Sequence, residues 1–169
     1  MIRISVSVVA ESGDNRQIGV SSGGGRLGSS YFATGMTPAA HGAEAARQAV
    51  LLLEAGDAPS GPMELHLAPA ESGVLLNESV GHPLEADFIR KRTSTYTDRI
   101  GDRVASDLVT VIDDGTIMND RGSINFDDEG TIPTPTVLIE KGILKGFMHD
   151  RISANHFGVE PTGNGRRES

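Results

Sequence analysis

The sequence has no cysteine and no tryptophan, and aromatic residues fill only 4% of its 169 positions. Without cysteine, this chain can supply no disulfide, thiolate metal ligand or thiol nucleophile. A chain without thiols suits a reducing compartment, so a cytoplasmic location is expected. With so few aromatics, the core must come from Val, Ile, Leu and Ala. No apolar run approaches the ~20 residues of a membrane helix. The opening residues, MIRISVSVVAESGD, show neither a long apolar stretch nor a small-residue cleavage site, which argues against a signal peptide. Positive charge is also scarce: 15 Lys and Arg against 23 Asp and Glu leave a net charge of −8. Affinity for a phosphate backbone rests on Lys and Arg, so nucleic acid is not an expected partner.

What is present reads as globular. Hydrophobic residues at 37% and charged residues at 22% exclude a disordered tail. Ile2, Ile4, Val6 and Val8 alternate with Arg3, Ser5 and Ser7, which predicts a half-buried strand over 2–10. A turn over 11–15 and a returning strand over 16–22 follow. Ser21 to Gly28, SSGGGRLG, lacks the Lys-Ser/Thr ending of a phosphate-binding loop and reads as a flexible turn. Thr37-Pro38 has the chemistry of a helix start. Ala43, Ala46, Val50 and Leu53 then keep helical spacing up to Gly56. After a linker at 57–62, Met63 to Leu67 reads as a short strand. Residues 71–90 read as a second helix, interrupted near Gly81 and Pro83. Strand 107–112, an exposed loop over 119–133 and a hairpin pairing 137–139 with 143–147 come next. Asp150 caps a short final helix ending at Gly158. The fold class is therefore α+β.

Leu76-Asn77-Glu78-Ser79-Val80-Gly81-His82-Pro83 is the stretch richest in chemistry. Glu78 and His82, four apart, lie within ~40° on one helix face. An imidazole that binds zinc beside a carboxylate that takes a proton from bound water suits metal-assisted hydrolysis. The same spacing also describes an ordinary i, i+4 pair worth a few tenths of a kcal/mol.

The longer strings NESVGHPLEADF, GDRVASDLVTVIDDGT, RGSINFDDEGT, TVLIEKGILKGFMHD and PTGNGRRES resemble the TldD/PmbA family of metallopeptidases, also described as modulators of DNA gyrase. They are closer to its TldD branch. The resemblance is densest from Leu75 to Glu168, weaker over the first 60 residues, and covers a middle section of a longer family chain. It implies a fragment of a larger two-lobed protein. Residues 1–60 would be a strand–strand–helix part of the N-terminal α/β lobe. Residues 61–169 would hold the metal-motif helix and the start of a β-rich C-terminal lobe.

The family motif is His-Glu-x-x-x-His, with two zinc-binding histidines and a glutamate base. The resemblance puts Glu78 at the base and His82 at the second ligand. Asn77 stands at the first, where a neutral amide is a poor substitute for imidazole. The family's third ligand is a downstream cysteine, which this chain lacks. Positions 77 and 82 would point ~140° apart on a regular helix. Sharing one ion requires a distortion, and Gly81 with Pro83 supplies a cause.

The resemblance thus implies a zinc peptidase of small or unfolded peptides with a degraded metal motif, inactive alone and without bound zinc in this chain. It also implies a homodimer, or a heterodimer with a family paralogue. The alternative is a non-catalytic PmbA-like partner subunit, or a modulator of DNA gyrase. Glu85 and Asp87 are candidates to orient His82. His41 and His66 read as surface or half-buried side chains. His149 and His156, seven apart, are a weaker metal pair. Arg90, Lys91, Arg92, Arg99 and Arg103, interleaved with Asp98 and Asp102, read as a solvated or peptide-contacting face. Asp127 to Gly130 lacks the ligand spacing of a calcium loop and reads as a solvated acidic turn. Arg121 and Ser123 to Gly130 fall in a family-typical loop, a candidate wall of the peptide cleft.

Overall fold

The structure, a computed structural model, describes residues 1–69 and 72–166. The chain divides into two compact units: Met1–Glu64 with Met118–Arg121, and Leu65–Ile117 with Gly122–Ser169.

In the first unit, β1 (Ile2–Ser12) and β2 (Asn15–Gly25) form an antiparallel hairpin in register from Ile2↔Gly25 to Ser12↔Asn15. Gly13, at φ +59°, takes the first position of its two-residue loop. A short helix, α1 (Tyr31–Thr34), precedes α2 (Pro38–Leu53). The Thr37 hydroxyl caps α2 by accepting from the Ala40 amide at 3.1 Å. The strand–strand–helix order expected over the first 56 residues is present.

Two expectations change here. The Gly/Ser-rich segment is strand through Gly25, and its composition has a packing reason. A Cβ on Gly19 would lie 2.0 Å from the Ala45 carbonyl oxygen, so α2 can rest on β2 only because that position is glycine. For the same reason the buried face of α2 is His41, Ala45 and Ala49, while Ala43 and Val50 are exposed.

The second unit centres on Leu84, Leu138, Ile139 and Leu144, against which Val80, Tyr96, Val104, Val111, Phe147 and Met148 pack. Its sheet orders β3 (Val111–Asp113), β4 (Thr136–Glu140) and β5 (Ile143–Leu144) antiparallel. Lys141 and Gly142, at φ +46° and +79°, turn β4 into β5, the pattern of a type I′ hairpin. The last helix, α5 (Arg151–Phe157), starts at Asp150, whose carboxylate accepts from the Ser153 amide at 2.7 Å, and ends at left-handed Gly158.

Met63–Leu67 is not a strand; the segment is exposed and pairs with no strand among the described residues. Over 107–112 only Val111 and Ile112 are strand. Ahead of them a turn closes from the Ser106 carbonyl to the Val109 amide and leaves Leu108 91% exposed. The expected helix over 71–90 is four pieces: α3 (Ser72–Leu76), a π-turn (Asn77–Gly81), a 3₁₀ turn (His82–Leu84) and α4 (Ala86–Arg90). Its first residue, Glu71, lies outside the described residues.

Candidate metal-motif site

The irregularity expected near Gly81 is a π-turn. The His82 amide reaches back to the Asn77 carbonyl, five residues away. Pro83 has no amide with which to continue an α-helical ladder. Ser79 donates its hydroxyl to the Leu75 carbonyl at 2.7 Å, a contact that bends helices. The extra residue in the turn swings position 82 back over position 77, cancelling the divergence of a regular helix.

Three side chains therefore meet at the His82 ring. Asn77 Nδ2 lies 3.3 Å from Nε2, Glu78 Oε1 lies 3.8 Å from Nε2, and Glu85 Oε1 lies 2.5 Å from Nδ1. The ring is half exposed. Glu85 is the best anchored of the three. It stands between fully buried Leu84 and Ala86, where the Ala86 amide donates to the Met148 carbonyl at 2.8 Å and the Met148 amide to the Leu84 carbonyl at 3.0 Å. Asp87 does not join the cluster; it pairs with Lys91 at 2.6 Å.

Glu85 also lines a cavity of about 500 Å³ with Phe88, Asp128, Glu129, Met148 and Asp150. Asp127, expected in a solvated turn, is 4% exposed. It accepts from the amides of Glu129, Thr131 and Gly165, tying the 127–131 loop to the 162–165 loop. The Asp-Asp-Glu-Gly-Thr string carried that signal, since Asp side chains bond the backbone of their own turn. Ser123, from the same loop, is buried, and Arg121 falls in the first unit.

The remaining candidates disperse. His41 is not a surface group: it is 2% exposed, with Nδ1 2.8 Å from Ser21 Oγ. His66 is exposed and lies in no strand. His149 and His156 each set an edge against Phe157. Burial lowers the His149 pKa, opposed by Asp150. Burial alone would raise Asp150, but hydrogen bonds from Ser153, with Arg90 and His149 nearby, hold it below the ordinary carboxylate value. In the basic segment Arg92 pairs with Asp98 and Arg99 with Asp102.

The site is thus a π-turn of an α+β chain that gathers Asn77, Glu78 and His82. Residues 60–169 match the PmbA/TldA metallopeptidase C-terminal domain. The chain belongs to the TldD/PmbA family. It is 46% identical to the metalloprotease TldD homologue of Haemophilus influenzae, over 100% of this chain and 36% of that one. It is 34% identical to the zinc metalloprotease TldD homologue of Saccharolobus solfataricus, over 65% of this chain and 25% of the relative. A Thermotoga maritima structure named as a modulator of a DNA gyrase superposes at TM-score 0.75 and 26% identity, over 97% of this chain and 37% of that one. The chain thus spans between a quarter and a little over a third of these longer relatives.

The zinc that the family implies does not fit the donors present here. The turn has the right shape, but it offers one imidazole, and the amide of Asn77 directs a nitrogen at that imidazole's outer nitrogen. Among the described residues no group of three or more His, Asp or Glu side chains is placed to hold an ion.

Proposed function

We propose that this chain is the motif-bearing section of a TldD-like zinc metallopeptidase acting on small or unfolded peptides, with a degraded metal motif and no activity by itself. One observation carries the reading: the π-turn that brings Asn77, Glu78 and His82 together, with an amide where a metal motif needs imidazole. Glu78 occupies the position of the proton acceptor and His82 that of the retained ligand. Zinc belongs to the intact family protein, whose further ligands this chain does not supply. A cytoplasmic setting, a peptide substrate, and a dimer with itself or a family paralogue complete the proposal.

Asn77 also favours a second reading, a non-catalytic PmbA-like partner subunit. The gyrase-modulator name of the Thermotoga protein keeps a regulatory role beside it. Zinc analysis after dialysis, with incubation against an unstructured peptide, tests the first reading. No stoichiometric zinc and no cleavage are expected. One tightly held zinc per chain overturns the degraded-motif proposal, because zinc sites use at least three protein ligands.

A further inference from the structure

We infer that Asn77 takes the metal's place at His82: its amide donates to Nε2 while Glu85 accepts from Nδ1–H, fixing one tautomer of the uncharged ring across the π-turn at a pH above the imidazole range. The inference rests on the degraded-motif reading and says what replaces the lost ligand function.

The proton assignment follows from the partners. An ionised carboxylate only accepts, so Glu85, 2.5 Å from Nδ1, requires the proton on Nδ1. In a neutral ring Nε2 then carries a lone pair. The group 3.3 Å from it is the Asn77 amide nitrogen, a donor. Glu78, at 3.8 Å, is too distant for a hydrogen bond and has no proton to give when ionised.

The backbone is shaped for this contact. A Cβ on Gly81 would lie 2.9 Å from Asn77 Oδ1, so the amide folds back over Gly81 to reach the ring. Position 81 thus serves the hydrogen bond as well as the turn. The second anchor, Glu85, is fixed by the Leu84 and Ala86 backbone contacts to Met148. In a metal motif the ion would tie position 77 to position 82; here one amide does so, and the turn needs no metal to keep its shape.

The test is ¹⁵N NMR of the His82 ring in the full chain, at one pH above the imidazole range. The expected spectrum shows Nδ1 protonated and Nε2 unprotonated and hydrogen-bonded, unchanged by a chelator or by equimolar zinc. Asn77→Ala and Asn77→Asp, which both remove the donor, should return Nε2 to a free lone-pair shift while Nδ1 keeps its proton. Gly81→Ala, which displaces the amide, should have the same effect. Glu85→Ala should let the proton move to Nε2, the favoured tautomer of free imidazole. A Nε2–H tautomer in the parent chain without zinc overturns this inference and leaves the degraded-motif reading standing. A parent ring that shifts stoichiometrically with zinc overturns both. If a variant loses its folded spectrum, the parent's tautomer and zinc response decide alone.

Discussion

Glu85 Oε1 lies 2.5 Å from His82 Nδ1, and the backbone on either side of Glu85 is bonded to Met148. The motif histidine is therefore oriented from the core of its own unit.

Asn77→His is expected to raise zinc affinity by about tenfold or more, because a second imidazole replaces a weak neutral donor. The π-turn already brings positions 77 and 82 together, so no rearrangement is needed. Isothermal titration of zinc into parent and variant measures the difference. Adding Glu78→Gln should leave the gained affinity intact, since its proposed role is to take a proton and not to hold the metal. In the family-length peptidase proposed above, the same pair of changes should first create or increase and then abolish peptide cleavage. Unchanged zinc affinity in Asn77→His would refute the assignment of position 77 as a ligand position.

Leu84→Ala should cost about 2–5 kcal/mol, the range for large-to-small changes in a packed core. Leu84 is fully buried and sits one residue before Glu85. Chemical denaturation gives the energy. A loss below about 1 kcal/mol would mean that the cluster around Leu138 and Leu144 relaxes into the space.

Some of this was legible in the sequence because it rests on local rules. Period-2 alternation over Ile2 to Val8, the Thr37-Pro38 start and the Asp150 cap each found their element. Gly81 with Pro83 announced the break, because a missing amide disturbs any helix. The misses came from packing. Glycines in β2 look like a loop until a helix lies on them, and Val50 looks like core until Ala45 and Ala49 fill the contact with Gly19. Met63–Leu67 has strand composition but no pairing partner among the described residues. The meeting of Asn77 with His82 needed the turn type, which spacing alone does not give.

Gly19→Ala should destabilise the first unit by about 1–3 kcal/mol, the usual cost of overpacking. The added methyl would meet the backbone of Ala45 and Ala49, at 2.0 Å and 2.5 Å, rather than a side chain able to move. Gly13→Ala should also be unfavourable, through its positive φ, although nothing lies within 4 Å of the added carbon. Thermal melts of the two variants separate close packing from backbone strain. Equal small losses would argue against α2 resting on β2.

The second unit should lose stability on acidification through two neighbouring residues. The His149 ring is packed against Phe147 and Phe157, with a buried Nδ1 that finds no hydrogen-bond partner among the described residues. Its folded pKa is lowered by burial, so the unfolded chain binds the proton more readily. Its contribution is present above the ordinary histidine value of 6.5 and fades as pH falls through the lower folded value. Asp150 acts further down. Its folded pKa lies below the ordinary 3.8, so its contribution is complete above that value and disappears as pH falls through the folded one. His149→Phe should flatten the first part of the profile, just below neutrality, and keep the second. Asp150→Ala should remove the second and cost about 1 kcal/mol at neutral pH, because the Ser153 amide loses its cap. Urea denaturation of parent and both variants between neutral and strongly acidic pH gives the two difference curves. A His149→Phe curve parallel to the parent's would mean that this imidazole does not carry the upper step.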